Sequence, residues 1–307
     1  MLKKGFIGGI MACFGLFIAV GSVAAKPLDV TGSATHLTQQ ITGLDAFERL
    51  YVNGQAEVEF VQTDGDKYAV SVSGPENLVA LAHISVDGAT LNIRYKQPLA
   101  IAGDEHLQVS VFAPILTEIE VAEAGEVSVP GPLHVKQLRL QTSGKGEIDL
   151  AAVQSDSLRV HTEGESEINI EDLSCGYLQA AVLQKSSFET DRTACDIVLA
   201  QASNRASLFL TGLSAQSMQV QSTDSADIKL KGYAQKTSLT ARNHSGIHAG
   251  SLQSEQAEVM AENSAHIDVR VSDTLSAQTQ GKGEVQYRGW PKHVKRLGKQ
   301  GSVYPNK

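Results

Sequence analysis

The chain has 307 residues, with 34 Asp and Glu residues against 26 Lys and Arg residues, a formal net charge of -8 and only 5% aromatic residues. This acidic balance excludes the basic surface that binds a nucleic-acid backbone. A hydrophobic content of 42% excludes a disordered chain and, with so few aromatic residues, predicts a mostly aliphatic core.

The first element in chain order is a predicted secretory signal peptide over residues 1–25. Lys3 and Lys4 form a positive start, an apolar stretch continues to about Val20, and small residues lead up to Ala25. We expect cleavage after Ala25, and an uncleaved membrane anchor is the weaker alternative because the apolar run is short. No later stretch is long and apolar enough to span a bilayer. The sequence therefore predicts an exported protein in the periplasm, on the cell surface or in the medium.

Residues 26–118 form a less regular region. Alternation of apolar and polar residues predicts short strands here, at Leu50–Val58, Val70–Gly74, Leu91–Tyr95 and Leu107–Phe112. We predict an N-terminal strand-rich cap together with the first coils, because solenoids need atypical ends that cover exposed strand edges.

From residue 119 onward one phrase returns about every 20 residues. Each copy is anchored on an apolar residue, and the anchors are Val127, Ile148, Ile168, Phe188, Leu208, Ile228, Ile247, Ile267, Val285 and Val303. The residue two positions before each anchor is always Gly, Ser or Ala. Four positions before the anchor, Gly, Asn and Asp dominate, so we expect the chain to bend there. A further inward column is predicted five residues past the anchor, at Val153, Leu173, Leu213, Tyr233 and Leu252.

Short alternating strands lie on both sides of each bend, and no helical stripe is sustained. Three strands in a repeat of this length predict one coil of a parallel β-helix, so residues 119–307 form an all-β solenoid of about ten coils. A β-propeller needs longer blades of about 40 residues, and a sandwich does not require such constant spacing. The basic segment after Trp290 is predicted to be a polar cap, with anionic lipid headgroups as an alternative contact, and Trp290 is expected to cover the end of the core.

Several segments then combine into a recognisable order, with small-residue repeats before the last one: Ile41–Phe47, Val52–Val58, Gly65–Asp66, Glu76–Leu78, Gly88–Ile93 and Gly289–Pro291. This order resembles the bacterial head GIN domain family, also called putative auto-transporter adhesins. The resemblance covers nearly the whole chain after the signal peptide. It implies a right-handed parallel β-helix, an exported location and no established biochemical activity. The sequence departs from the family's pattern at Gln184–Phe188 and Asn204–Leu208, which lack the glycine-type phrase.

Cys175 and Cys195 are 20 residues apart and occupy the same offset in adjacent repeats. Stacked coils lie about 4.8 Å apart, which is close enough for a disulfide. An oxidising compartment favours this bond. Two buried free thiols are the alternative.

Glu126, Glu147 and Glu167 share the position just before the anchor, and Asp149 lies two residues beyond Glu147. These side chains are predicted to form an outward acidic ladder that is a candidate binding surface. Calcium is the one cofactor that such a ladder suggests. The alternative is a solvated acidic face, since no EF-hand or nonapeptide calcium phrase is present.

His244, His248 and His266 form a second candidate cluster. In the predicted register, His244 and His248 flank the position that His266 occupies one coil later, which is the kind of convergence that zinc requires. A shift of one column would scatter the three rings, which would then be ordinary surface histidines.

Catalysis is not expected, because the constant coil length leaves no long inserted loop that could build a cleft. Nucleophile phrases and phosphate-binding loops are also missing. The leading hypothesis is a non-enzymatic, exported binding or scaffold module that presents its ladder surface to a glycan, a cell-envelope component or a protein. The alternatives are a polysaccharide lyase or hydrolase of the envelope, and a scaffold that self-associates through coil edges.

Overall fold

A computed structural model of the protein describes residues 26–103, 105–298 and 300–306, so the predicted signal peptide lies outside the described residues. Almost all of this part is β-strand. The one described helix, α1 (Glu76–Leu81), has six residues, and no helix in the described part is long and apolar enough to cross a membrane.

The strands before the regular coils are short. They are β1 (Leu28–Thr31), β2 (His36–Ile41), β3 (Arg49–Asn53), β4 (Ala56–Gln62), β5 (Ala69–Pro75), β6 (Ala82–Asp87), β7 (Thr90–Tyr95), β8 (Leu99–Ala102), β9 (Leu107–Ala113) and β10 (Glu118–Ala122).

The coils themselves are long strands that pair in parallel, each with the next along the chain. They are β11 (Glu126–Thr142), β12 (Glu147–Thr162), β13 (Glu167–Leu183), β14 (Ser187–Ser203), β15 (Ser207–Thr223), β16 (Asp227–Asn243), β17 (Gly246–Asn263) and β18 (His266–Gly281). Three short strands follow: β19 (Glu284–Arg288), β20 (His293–Leu297) and β21 (Ser302–Pro305). The predicted parallel β-solenoid is confirmed, with about nine turns. The tenth predicted coil is represented only by β21.

The anchor column is confirmed by the strand register. Each anchor pairs with the next, from Val127 with Ile148 through to Val285 with Val303. Every anchor except Val303 is fully buried. The repeat spacing therefore sets the register, because a slip of one residue would expose this inward column to solvent.

Each coil is one continuous strand of 16 to 18 residues rather than three separate strands. Its three sides are visible in the burial pattern of β13, where alternation is interrupted by adjacent outward residues at Glu171–Asp172 and Gly176–Tyr177. The chain bends at these positions, and the parallel pairing with the neighbouring coils resumes directly after each bend, at Asp172 and Tyr177.

The turn between coils matches the predicted bend. The φ angle is positive at the seven Gly, Asn and Asp residues that lie four positions before an anchor, which are Gly144, Gly164, Asn204, Asp224, Asn243, Asn263 and Gly281. The small column beside it lies against the preceding coil, since a Cβ added at Gly146 would lie 2.8 Å from the carbonyl oxygen of Val121. Side-chain volume is therefore restricted at this point of every coil.

The N-terminal strands are stacked out of sequence order. Strand β3 pairs with both β7 and β10, and β4 pairs with both β9 and β11, all in parallel. Strands β3 and β4 form one layer, or rung, of the stack. The rung formed by β7 and β9, which come later in the sequence, lies on one side of it, and the first regular coil lies on the other. Strands β5 and β6 pair antiparallel with β9 and β7. That this region acts as a cap stays a prediction.

Two sequence-based placements were wrong. Tyr233 does not continue the inward column, because a register shift between Leu210 and Leu213 brings Gly232 opposite Leu213 and turns Tyr233 outward. Its hydroxyl donates a hydrogen bond to Glu255 Oε1 at 2.7 Å. Trp290 does not cover the core; it lies in the segment between β19 and β20, and its side chain is 94% exposed.

Candidate functional site

The structure places the predicted acidic ladder on one outward face of the solenoid. Glu147 pairs with Glu126 in the preceding coil and with Glu167 in the following coil. Asp149 lies in the neighbouring outward column and pairs with Asn169. Because side chains alternate across a strand, the buried anchors force all four carboxylates to point away from the core.

The ladder is longer than the sequence analysis predicted. Glu57 pairs with Glu126 and extends the column by one rung, and Glu59 lies beside it in the column of Asp149. The signal for Glu57 was present, because it precedes Val58 in the same phrase in which Glu126 precedes Val127. The out-of-order stacking of β4, which carries Glu57, concealed that these two phrases are neighbours.

Burial and repulsion between like charges raise the pKa of several carboxyl groups on this face. The pKa of Glu147 is raised to about 7, first by burial and then by repulsion from Asp149 and Glu126. Burial, followed by repulsion from Glu57, also raises the pKa of Glu126. Burial, followed by repulsion from Glu167, raises the pKa of Glu189 further along the face. Part of the ladder therefore holds protons near neutral pH.

Polar partners satisfy the two ends of the ladder better than its middle. His106 Nε2 lies 2.7 Å from Glu57 Oε2 at one end. At the other end, Asn169 Nδ2 donates to Asp149 Oδ1 and to Glu167 Oε1, both at 3.0 Å. Among the described residues, no ion pair is formed by the central carboxylates, those of Glu126 and Glu147.

An open cavity of about 330 Å³ lies at the His106 end of the ladder. It is lined by Gln55, Ala56, Glu57, Gly103, Glu105, His106, Ala124 and Glu126. Three carboxylates and one imidazole therefore surround a space large enough for a small polar group.

The histidines come together only in part. His266 pairs opposite Gly246, as the predicted register requires, and its ring centroid lies 6.2 Å from that of His248. Asp227 and Asp268 approach His248 at 3.1 and 3.3 Å and hold the imidazole between them. The hydrogen bond that the His248 ring donates to Asp268 is the main cause that raises the pKa of His248. His244 lies in the exposed turn.

In the part of the chain that the structure describes, no group of three or more His, Cys, Asp or Glu residues is arranged to hold a metal ion. The calcium and zinc hypotheses therefore stay predictions that require metal titration.

Cys175 and Cys195 pair in register in adjacent coils. Their Cα atoms are 4.5 Å apart, and the structure joins their sulfur atoms in a disulfide. Both side chains point into the solenoid.

A parallel solenoid with long, regular outward columns defines a class of repeat proteins that present extended surfaces. The chain belongs to a family with the description "putative auto-transporter adhesin, head GIN domain", whose model matches residues 46–211 and 186–291. The resemblance seen in the sequence is thereby confirmed.

Solved structures show the same fold. A structure titled as a putative adhesin from Parabacteroides merdae is 16% identical, has a TM-score of 0.52, and the match covers 91% of this chain and 99% of the other. A putative adhesin from Parabacteroides distasonis is 18% identical, with the same TM-score, and the match covers 91% of this chain and 100% of the other. A search of curated proteins gives no match.

Proposed function

We propose that the protein is a non-enzymatic, exported, adhesin-like module that binds a glycan, a cell-envelope component or a protein through its acidic ladder. Membership of a family described as putative adhesins supports the general role. The observation that carries the choice of surface is the position of Glu147 at the centre of a column of carboxylates, where its pKa is raised and it forms no ion pair with any described residue.

A positively charged ligand would reduce the electrostatic repulsion between the carboxylates of the ladder. A basic protein segment would supply the missing positive charge directly. A calcium ion would do the same while leaving coordination positions for the hydroxyl or carboxylate oxygens of a glycan. Either partner would shift the ladder towards full ionisation, so binding should release protons and weaken as the pH falls below 7.

The experiment is a pull-down from envelope extract, combined with a glycan array, using the chain from residue 26 onward. The test variant is the triple substitution Glu126→Gln, Glu147→Gln and Glu167→Gln, which keeps side-chain size and removes the charges. The control is Glu258→Gln, an exposed carboxylate that lies between Ser238 and Ser276 on another side of the coil. Each protein is assayed with calcium and with chelator.

We expect the triple variant to lose at least ten-fold in captured ligand and the control to retain it. Loss of capture on chelation would assign calcium to the ladder, and capture that survives chelation would assign a basic partner. Equal capture by the triple variant and the wild-type protein would contradict the assignment of this surface. If the wild-type protein captured no ligand in either assay, the result would contradict the adhesin-like role.

A second candidate is a polysaccharide lyase or hydrolase. The observation that favours it is again Glu147, because a carboxyl group with a pKa near 7 beside another carboxylate is a candidate general acid. Release of new reducing ends from envelope polysaccharide, abolished in Glu147→Gln and kept in Glu258→Gln, would support this function in place of simple binding.

A further inference from the structure

A groove of about 530 Å³ crosses the turns between successive coils, and none of its lining residues belongs to the acidic ladder. Apart from one glycine, the lining residues are all polar or charged: Gly164, Glu165, Gln184, Lys185, Asn204, Arg205, Asp224 and Ser225. These residues come from four neighbouring turns, so the groove runs along the solenoid and crosses its rungs at intervals of about 4.8 Å.

Of the two cations in the groove, Lys185 and Arg205, only Lys185 forms an ion pair with a described residue. Lys185 Nζ donates to Glu165 Oε1 at 2.5 Å, and Asp224 accepts a hydrogen bond from the side-chain amide of Asn243. Arg205, exposed between these pairs, forms no ion pair or hydrogen bond with any described side chain. Its planar guanidinium is therefore free to bind a carboxylate through two parallel hydrogen bonds.

The backbone is also unusual here. In most turns a single residue has a positive φ, but Asn204 and Arg205 are both left-handed, at 59° and 70°, and so are Asp224 and Ser225, at 54° and 71°. Left-handed Arg and Ser are strained, and such strain is concentrated at binding sites.

This strain accompanies a gap in the turn-to-turn ladder. The backbone N–H of Lys185 donates to the carbonyl oxygen of Gly164, and the same kind of bond returns between Ser264 and Asn243. No described bond of this kind joins the intervening turns. Their amide and carbonyl groups are therefore available to a ligand.

We infer that this groove binds an acidic oligosaccharide, with the carboxylate of a uronic acid held by Arg205. This inference rests on the proposed adhesin-like function and names the ligand class and the site. The side chains of Gln184, Asn204 and Ser225 are free to exchange hydrogen bonds with sugar hydroxyls. Their rung spacing is close to the length of one pyranose ring in an extended chain.

An acidic peptide fits the same cation less well. Peptide recognition uses pockets for apolar side chains or a free strand edge, and the lining of this groove contains no aliphatic or aromatic residue. A glycan without stacking partners must be held by hydrogen bonds and charge, which is what the lining offers.

The experiment is calorimetric titration of the chain from residue 26 onward with an oligogalacturonate, a neutral oligosaccharide of the same length, and an oligoglutamate peptide. The test variant is Arg205→Ala, with Arg205→Lys to separate charge from the two-bond geometry. The matched control is Arg159→Ala, which removes another exposed arginine from a different side of the coil.

We expect the oligogalacturonate to bind, the neutral sugar to bind at least ten-fold more weakly, and Arg205→Ala to lower the affinity at least ten-fold. Arg205→Lys should recover only part of this loss, and Arg159→Ala should bind as the wild-type protein does. Equal losses in Arg205→Ala and Arg159→Ala would overturn the inference, as would stronger binding of the peptide.

The same variants in the envelope pull-down separate this inference from the proposed function. A wild-type protein that captures envelope material but binds no oligogalacturonate would overturn the groove's assignment and leave the adhesin-like role standing. Failure in both assays would remove both.

Discussion

At the scale of single residues, the turn column shows where the chain carries avoidable strain. Four positions before its anchor, Gln184 has a φ of 65°, whereas the next two coils place Asn204 and Asp224 at the equivalent position. Asn adopts the left-handed conformation more readily than Gln, whose longer side chain cannot bond locally to the backbone.

We therefore expect Gln184→Asn to raise the free energy of unfolding by about 0.5–1 kcal/mol. Chemical denaturation monitored by circular dichroism would measure the change. Gln179→Asn, within strand β13, is the control and should be neutral or destabilising because Asn is disfavoured in strands. A destabilised Gln184→Asn variant would show that the glutamine makes contacts that outweigh its backbone strain.

The raised pKa of Glu147 predicts that the stability of the fold depends on pH. Its pKa is about 7 in the folded chain against an ordinary value of 4.5. The folded state therefore holds this proton more tightly than the unfolded state does. The associated stability is fully present below about pH 4.5 and is lost as the pH rises through 7.

Glu147→Gln should accordingly be more stable than the wild-type protein at pH 8, by about 1 kcal/mol after allowance for solvent screening, and equally stable near pH 4. Unfolding curves recorded across this range would measure the difference. Glu258→Gln should show no such pH-dependent gain. A constant difference between Glu147→Gln and the wild-type protein at every pH would contradict a titrating origin.

At the scale of the coil, the features that depend on the inward side chains could be predicted from the sequence. Features that depend on local irregularities of the strand register could not. Anchors such as Ile168 and Ile228 could be located because each coil must bury the same column. Tyr233 could not, since β16 has one residue fewer than β15 between the columns of Leu210 and Leu213, which moves Tyr233 out of the inward column.

The candidate sites divide in the same way. The acidic ladder followed from spacing alone, since Glu126, Glu147 and Glu167 keep one offset from their anchors. The groove could not be predicted in this way, because it depends on left-handed backbone angles at Arg205 and Ser225. Neither residue type indicates such angles. Glycine would have signalled a left-handed turn there; arginine and serine do not.

The disulfide between Cys175 and Cys195 links two adjacent coils covalently. The column of Cys175 and Cys195 continues with Ala215 and Ala234 in the following coils. The double substitution Cys175→Ala and Cys195→Ala therefore removes the cross-link and keeps a residue type that the column already contains.

We expect the double variant to lose about 2–4 kcal/mol of unfolding free energy, since the disulfide closes a chain segment of 20 residues. Thermal unfolding with and without reductant would measure the loss. Reductant should lower the melting temperature of the wild-type protein and leave that of the variant unchanged. Two titratable thiols in the unreduced, unfolded wild-type protein would show that the pair is not oxidised.

At the scale of the whole molecule, the stacking order joins the N-terminal region to the coils. The rung formed by β3 and β4 lies directly on β10 and β11, and the later strands β7 and β9 lie on its other side. A chain that added rungs strictly in order could lose its first residues one rung at a time. Here the removal of β3 and β4 would separate two rungs that remain.

We therefore expect deletion of residues 26–118 to expose the backbone edge of the first coil, together with the buried side chains of Ile119 and Val127. Unpaired strand edges of this kind template aggregation, so the fragment from residue 119 onward should associate or fail to unfold cooperatively. Light scattering and thermal unfolding would measure both effects.

The control is removal of a single internal coil, residues 209–228, which joins equivalent positions in neighbouring repeats. Solenoid stability is approximately a sum over repeats and their interfaces, so this shortened chain should remain folded and lose stability in proportion to one coil. If the fragment from residue 119 onward behaves as this control does, the N-terminal strands are not a cap. If the control aggregates and the fragment does not, the dominant interactions lie between particular coils rather than at the end of the stack.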